Sequence, residues 1–340
     1  MNRRNLGTSS GRREKAVDKS AMERMVRQNR ARRKKRRKDK SISLAATMSK
    51  NVIALATSLH GIGPLIQDGT FRKKVAEVEH AWHCPKDFSL LPIQMPKFSM
   101  EMLIPHGTQE GSEIVLQLHG GGYIGKMRNA YRDFAVLYAK MQGERSVLSI
   151  DYRVAPEDPF PAALEDACAA YRWLLEKGYK GEQIVVAGDS AGGGLALALT
   201  LYLRDHKEPL PKKLVLMSPW TDLTASGESY RTNFEKDPLF GNTTESMLYS
   251  NAYYGGRDPE NPYISPLFGN YEGLPPMLFQ VGSIEMLLSD SVEAAKKAEA
   301  AGCQVQLSVY EGMFHVFQLG MKKMKEAREA WQEIENFLNA

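Results

Sequence analysis

Gly188-Asp189-Ser190-Ala191-Gly192 is a G-x-S-x-G pattern. That spacing can expose a serine on a sharp turn between a strand and a helix. The pattern alone decides little, because Gly7-Thr8-Ser9-Ser10-Gly11 matches it too. The first copy has no strand before it. The second follows the apolar run Gln183–Ala187 and opens the helical pattern Ala191–Arg204, the context that a nucleophilic serine needs. A glycine-rich turn with a capping serine is the plain alternative. A second cluster, His119-Gly120-Gly121-Gly122, directly follows the apolar run Glu113–Leu118. Acyl transfer builds negative charge on a carbonyl oxygen, and each backbone N–H aimed at that oxygen lowers the barrier by about 3 kcal/mol. The expected donors are the amides of Gly121, Gly122 and Ala191. No Lys-Ser or Lys-Thr follows the glycines as in a phosphate loop, and their spacing is not that of a dinucleotide fingerprint. His119 and Gly120 are expected to shape the loop, with His119 orienting it by hydrogen bonding rather than acting as a base.

A serine is weakly nucleophilic without a base, and the base needs an orienting acid. Of seven histidines, only His206 and His315 follow Ser190. His206 closes the helical pattern that Ser190 opens. His315 lies just past the apolar run Val305–Tyr310, in Glu311-Gly312-Met313-Phe314-His315, and is the expected base. The acid should stand between serine and histidine in chain order, on a loop after a strand. Glu285, in Gly282-Ser283-Ile284-Glu285 after the run Met277–Val281, meets that condition. Asp290 is the alternative, although it stands where it would cap a helix beginning near Ser291. Asp237, in Asp237-Pro238-Leu239, follows no strand and is read as a decoy. A solvated loop carboxylate is the plain alternative for Glu285. Tyr123 and Asp189 are expected to bind substrate at the floor or mouth of the pocket.

Short apolar runs must position these groups. Candidate strands are Glu113–Leu118, Ser146–Ile150, Gln183–Ala187, Lys213–Met217, Met277–Val281 and Val305–Tyr310. Helical patterns lie between them, at Tyr131–Met141, Ala162–Lys177, Ala191–Arg204, Ser291–Ala301 and Met321–Leu338. Alternating strands and helices predict an α/β fold, a doubly wound and mostly parallel sheet with helices on both faces. The 57 residues between Ser218 and Pro276 are too many for an ordinary connection and are rich in aromatics. A long excursion on such a scaffold suits a cap over a site. The expected organisation is a basic arm over 1–40, a mostly helical lead-in over 41–95 and a catalytic domain over 96–340 with an insertion at about 220–275.

The formal net charge of +5 conceals a split. Residues 1–40 hold 17 Lys and Arg against 4 Asp and Glu, while the remaining 300 are net −8. The body therefore carries no argument for nucleic acid, and any such argument falls on the arm. The arm is too charged to bury a core. It is read as disordered or as a solvated helix over 21–37. It is taken as a solvated tail, or as sequence ahead of a start at Met22, Met25 or Met48, before it is taken as a nucleic-acid or anionic-membrane contact. Three scattered cysteines, Cys84, Cys168 and Cys303, argue against a disulfide framework and for a reducing compartment. No apolar run reaches the roughly 18 residues of a membrane span. Arg3-Arg4 is followed by polar residues where an export signal has an apolar stretch. The expectation is a soluble, cytoplasmic protein. His80-x-x-His83-Cys84 offers metal-binding atoms but lacks a second ligand pair, and one helical turn is the preferred reading, so no metal is expected.

Taken jointly, His119-Gly120-Gly121-Gly122, Asp151-Tyr152-Arg153-Val154-Ala155-Pro156-Glu157, Gly188-Asp189-Ser190-Ala191-Gly192-Gly193 and Gly312-x-x-His315 resemble the bacterial hormone-sensitive-lipase family of carboxylesterases. The closest resemblance is to the branch with acetyl esterases and monoterpene lactone hydrolases, which Ser218-Pro219-Trp220-Thr221-Asp222-Leu223 and Ser265-Pro266-Leu267-Phe268 also resemble. The resemblance covers about residues 50–340. It implies an α/β-hydrolase fold capped by the lead-in and the insertion, and Ser/acid/His hydrolysis of uncharged short- to medium-chain esters or lactones with no cofactor. Many members carry Asp-Pro-Leu at the acid, whereas this chain has Glu285-Met286-Leu287. The basic arm has no counterpart there. The expected partner is a small-molecule ester, and a homodimer is compatible with the sequence, which does not give the oligomeric state. An amidase or formamidase would use the same groups. A non-catalytic ligand-binding member would be expected to have lost one of the three.

Overall fold

The structure is a computed structural model that describes residues 42–57, 68–108, 112–143, 145–243 and 245–340. The basic arm, its copy of the serine motif and the helix expected over 21–37 lie outside the described residues. Eight strands form one sheet in the order β1-β2-β4-β3-β5-β6-β7-β8. They are β1 (Phe88–Gln94), β2 (Ser99–Pro105), β3 (Ile114–Leu118), β4 (Ser146–Asp151), β5 (Ile184–Asp189), β6 (Lys213–Met217), β7 (Met277–Gly282) and β8 (Val305–Tyr310). From β4 through β8 every neighbouring pair is parallel. β2 pairs antiparallel with both β1 and β4. The helices are α1 (Leu44–Thr57), α2 (Thr70–Val78), α3 (Asn129–Ala139), α4 (Ala162–Glu176), α5 (Ala191–Asp205), the single turn α6 (Ser229–Thr232), α7 (Leu288–Ala300) and α8 (Lys325–Asn339).

The six expected parallel strands are present, shifted by no more than two residues at either end. Two further strands, β1 and β2, extend the sheet into the segment read as a helical lead-in. β1 contains Pro92 and a largely exposed pattern, which only an edge strand tolerates. His80, His83 and Cys84 are not on a helical turn as expected. α2 stops at Val78, and these residues run through the non-helical connection to β1.

β3, β5 and β6 are buried at every position, as parallel strands covered on both faces must be. Val115, Val147, Val185, Val215 and Leu278 share one core cluster with Phe134 and Tyr138 of α3 and Trp331 and Ile334 of α8. Side chains alternate along a strand, so Ile114, Leu116, Val186 and Leu216 point to the other face, where α5 packs along β3, β5 and β6. α1 packs on the 3-10 turn Phe317–Lys323 and on α8. The parallel strands all end on one edge of the sheet, and loops leave that edge close together. One of those loops is pinned by Arg153. Its guanidinium and its own backbone N–H both donate to the buried Asp166 carboxylate of α4, at 2.8–3.1 Å. Asp166→Ala leaves that guanidinium only Glu165 and the Ala162 carbonyl and is expected to cost about 2 kcal/mol, read as a lowered midpoint in chemical denaturation.

Candidate active site

β5 runs straight into α5, and the residue between them must reverse the chain in one step. That residue, Ser190, has φ 52 and ψ −123, a conformation that costs a non-glycine residue of order 1–3 kcal/mol. Backbone bonds on both sides fix it. Ser190 N–H donates to the Met217 carbonyl at 2.9 Å, and the Ser190 carbonyl accepts from Trp220 N–H at 2.8 Å and Gly194 N–H at 3.0 Å. Gly192 lets the start of α5 lie against the end of β3, because any Cβ there would collide with the Leu118 carbonyl. The elbow and the glycine loop after β3 are thereby held side by side.

Ser190 Oγ is 2.9 Å from His315 Nε2, and His315 Nδ1 is 2.8 Å from Glu285 Oε2. All three residues are buried. With Nδ1–H donating to the carboxylate, Nε2 is free to accept the serine proton. The other Glu285 oxygen, Oε1, accepts from Ser218 Oγ at 2.9 Å and from Gly282 N–H. Ser218 Oγ also accepts from Val316 N–H at 3.1 Å, so one hydroxyl ties the acid to the loop carrying the imidazole. Asp290 does not reach His315. Its Oδ1 accepts from the Thr221 and Asp222 amides at 2.8 and 2.9 Å, and burial raises its carboxyl well above the usual range. Asp237 has a structural task. Its carboxylate accepts from the amides of Leu239, Phe240 and Met286, which anchors the insertion to the Glu285 loop. Asn233 adds to that anchor by donating to the Ser283 and Glu285 carbonyls at 3.1 and 2.9 Å. His206 turns back on its own helix, 2.8 Å from the Tyr202 carbonyl.

Gly121 and Gly122 have φ 114 and 64. Among the described residues, the amides of Gly121, Gly122 and Ala191 have no hydrogen-bond acceptor, so three donors beside Ser190 are unpaired. The loop that holds two of them is braced from every side. Asn251 of the insertion donates to the Gly122 carbonyl at 3.0 Å, and Tyr152 Oη–H donates to the His119 carbonyl at 2.6 Å. The His119 ring stacks on Tyr152 at 4.0 Å, with Nδ1 2.7 Å from the Gly120 carbonyl. Burial lowers its pKa to about 4, which keeps the imidazole neutral and suits it to orienting the loop.

Asp189 and Tyr123 are both buried, and their contacts are with the glycine loop, α3 and the insertion. The Asp189 carboxylate accepts from Gly120 N–H at 3.0 Å and from Tyr131 Oη–H at 3.3 Å, so both oxygens face the loop. Tyr123 is buried and stacks on Tyr253 at 3.7 Å. Two side chains of the insertion stand beside the glycine loop and His315. The Met247 sulfur lies where a Cβ on Gly122 would be, and the Phe240 ring stands edge-on to His315 at 4.9 Å. Asn233, Met247 and Asn251 were not singled out in the sequence, and Ser218 was noted only within a stretch that carries the family resemblance, not as a site residue. Only Ser218 had a legible signal, its place at the C-terminal end of a parallel strand.

Residues 115–319 match a family model described as the alpha/beta hydrolase fold. The chain belongs to this family. An acetyl-hydrolase of Streptomyces hygroscopicus is 39% identical to this hydrolase over 231 residues, 68% of this chain and 77% of that protein. An esterase of Acinetobacter venetianus is 38% identical over 228 residues, 66% and 74% of the two. The crystal structure of an esterase from the bacterial hormone-sensitive lipase family aligns with TM-score 0.76 and 35% identity, covering 87% of this chain and 97% of that one. An esterase/lipase from an uncultured bacterium gives TM-score 0.78 at 33% identity, covering 87% and 98%. Within the fold, this hydrolase groups with the bacterial hormone-sensitive-lipase esterases.

Burial raises the Asp189 pKa to about 7, against the lowering effect of its bonds from Gly120 and Tyr131. The folded state therefore binds a proton at Asp189 that the unfolded chain has already lost, and stability falls as pH rises from about 4 to about 7. Asp189→Asn removes this dependence. Urea denaturation at both ends of that window should show the variant gaining on the wild type as pH rises, by on the order of 4 kcal/mol.

Proposed function

We propose that this hydrolase cleaves short- to medium-chain carboxylic esters or lactones with Ser190 as nucleophile, His315 as base and Glu285 as the orienting acid. The observation that carries the reading is the unbroken chain Glu285–His315–Ser190, ending beside three unpaired amides. Ser190 Oγ attacks the ester carbonyl while its proton passes to His315 Nε2. Glu285 stabilises the imidazolium through Nδ1–H and stays ionised. The carbonyl oxygen gains the electron pair and accepts from Gly121, Gly122 and Ala191 N–H. Collapse of the tetrahedral species re-forms the carbonyl and expels the alkoxide, which takes the proton from His315. Water then attacks the acyl-serine, its proton passing through His315 to Ser190 Oγ as the acid leaves. Every proton is returned, so the cycle needs no cofactor.

We read the insertion over about 220–275, with the lead-in over 41–95, as the cap. Asn251 on the glycine loop, Phe240 against His315 and the Arg72 guanidinium on the Ile124 and Ala155 carbonyls at 2.8 and 2.7 Å support this. His315 protonates the leaving alcohol, so the alcohol lies on the Phe240 side and the acyl group extends from the other side of the carbonyl, towards Met247. The thioether at Gly122 limits acyl length. The scattered thiols of Cys84, Cys168 and Cys303 favour the cytoplasm as the working compartment.

Hydrolysis of a graded series of aryl esters tests the reading. Ser190→Ala is expected to lower kcat by about 10⁴ or more, and Glu285→Gln to lose a comparable factor through the wrong tautomer. Asp290→Asn is expected to leave kcat within a few-fold. Unchanged hydrolysis by Ser190→Ala rejects the mechanism. A matched anilide cleaved as fast as the ester moves the reading to an amidase. Met247→Ala is expected to move the optimum towards longer acyl chains without changing the preference for the alcohol.

A further inference from the structure

β6 hands the chain to Pro219 through one residue, Ser218, whose φ is 46. Glycine takes that conformation freely, whereas a Cβ makes it a strained one. The turn itself therefore asks for glycine, yet a fully buried serine stands there. Its backbone N–H donates to the Gln280 carbonyl of β7 at 2.7 Å, a bond that glycine would make equally well. What the serine adds is the hydroxyl.

That hydroxyl has one proton, and its direction is forced. Val316 N–H is a donor, so Ser218 Oγ accepts from it at 3.1 Å. The hydroxyl proton then goes to Glu285 Oε1, at 2.9 Å, which also accepts from Gly282 N–H. A glutamate carboxylate turns easily about its last torsion. Two donors on Oε1 stop that rotation and leave Oε2 facing His315 Nδ1 at 2.8 Å. The same oxygen holds the residue after His315. Val316 is itself left-handed, with φ 48, a backbone that persists only under an outside hold. Both sides of the Nδ1–Oε2 contact are thus referred to one hydroxyl at the end of a third strand.

A donor on the carboxylate also draws on its charge. Less of that charge reaches the imidazolium that forms when Ser190 gives up its proton, so the imidazole holds the proton less firmly. Asp189 and Asp237 are the other carboxylates whose charge reaches His315.

We propose that Ser218 is a positioning residue of the hydrolytic site, one that keeps the Glu285 carboxylate and the His315 loop in register and moderates how firmly the imidazole holds its proton. The proposal rests on the triad reading above and concerns a residue that acts through Glu285 and Val316 rather than on the substrate.

Ser218→Ala and Ser218→Gly test it together on a soluble aryl ester, with Ser190→Ala as the reference. Both remove the hydroxyl, but glycine also relieves the left-handed backbone, so Ser218→Gly keeps the test open if Ser218→Ala folds poorly. Each is expected to lower kcat about 10- to 100-fold, the effect of one hydrogen bond to a charged group, with KM within about twofold. The acid limb of kcat/KM is expected to move up by about half a pH unit in both. Asp189 and Asp237 are kept in every variant, so neither moves the limb. A role confined to the fold would lower the denaturation midpoint of Ser218→Ala, spare Ser218→Gly and leave the limb in place. Wild-type kcat in Ser218→Gly, or an acid limb unmoved in both variants, overturns the proposal. If Ser190→Ala has lost hydrolysis in the same experiment, only the assignment of Ser218 falls; hydrolysis that survives Ser190→Ala removes the triad reading and this proposal with it.

Discussion

The site depends on one backbone conformation, the positive φ of Ser190. No local preference favours it, so it persists only because the surroundings over-determine it. The surroundings do so from two directions. β6 supplies the Met217 carbonyl and the loop after it the Trp220 amide, and Gly192 of α5 allows close approach to β3. A relaxed serine would join α5 as an ordinary first-turn residue and turn Oγ away from His315. The same reversal leaves the Ala191 amide at the head of the helix without an acceptor among the described residues, so the strain that turns Ser190 towards His315 also leaves a free N–H beside it.

The partners of Ser190 raise a different problem, a carboxylate and an imidazole out of water. Glu285 is fully buried, and a buried charge is tolerable only when its lone pairs are occupied. Ser218, Gly282 and His315 occupy them. The loop bearing the acid is fixed in turn by Asp237 and Asn233, both from the insertion. The insertion therefore fixes the loop that bears Glu285. The same division appears at the glycine loop, which Asp189 and Tyr152 brace from the body and Asn251 from the insertion.

Groups tied to the parallel strands were legible in the sequence. Ser190, His315 and Glu285 each follow a strand whose continuous apolar run marks it as buried on both faces, and the run tells the reader where the loop begins. Glu285 could be preferred over Asp290 because the latter was expected to cap a helix near Ser291; that helix instead starts at Leu288, and Asp290, inside its first turn, accepts the Thr221 and Asp222 amides of the loop after β6. β1 was not legible, since a half-exposed edge strand with an internal proline lacks the buried-run signal, and β2, whose apolar run Met100–Ile104 is interrupted by Glu101, stood in a segment read as lead-in. The supporting residues were hidden for a deeper reason. Asn233, Asn251 and Met247 act across gaps of 52, 129 and 125 positions, and nothing local in an irregular excursion specifies such contacts. Asp189 shows the same limit. Its place beside the serine suggested substrate, while its contacts belong to the loop.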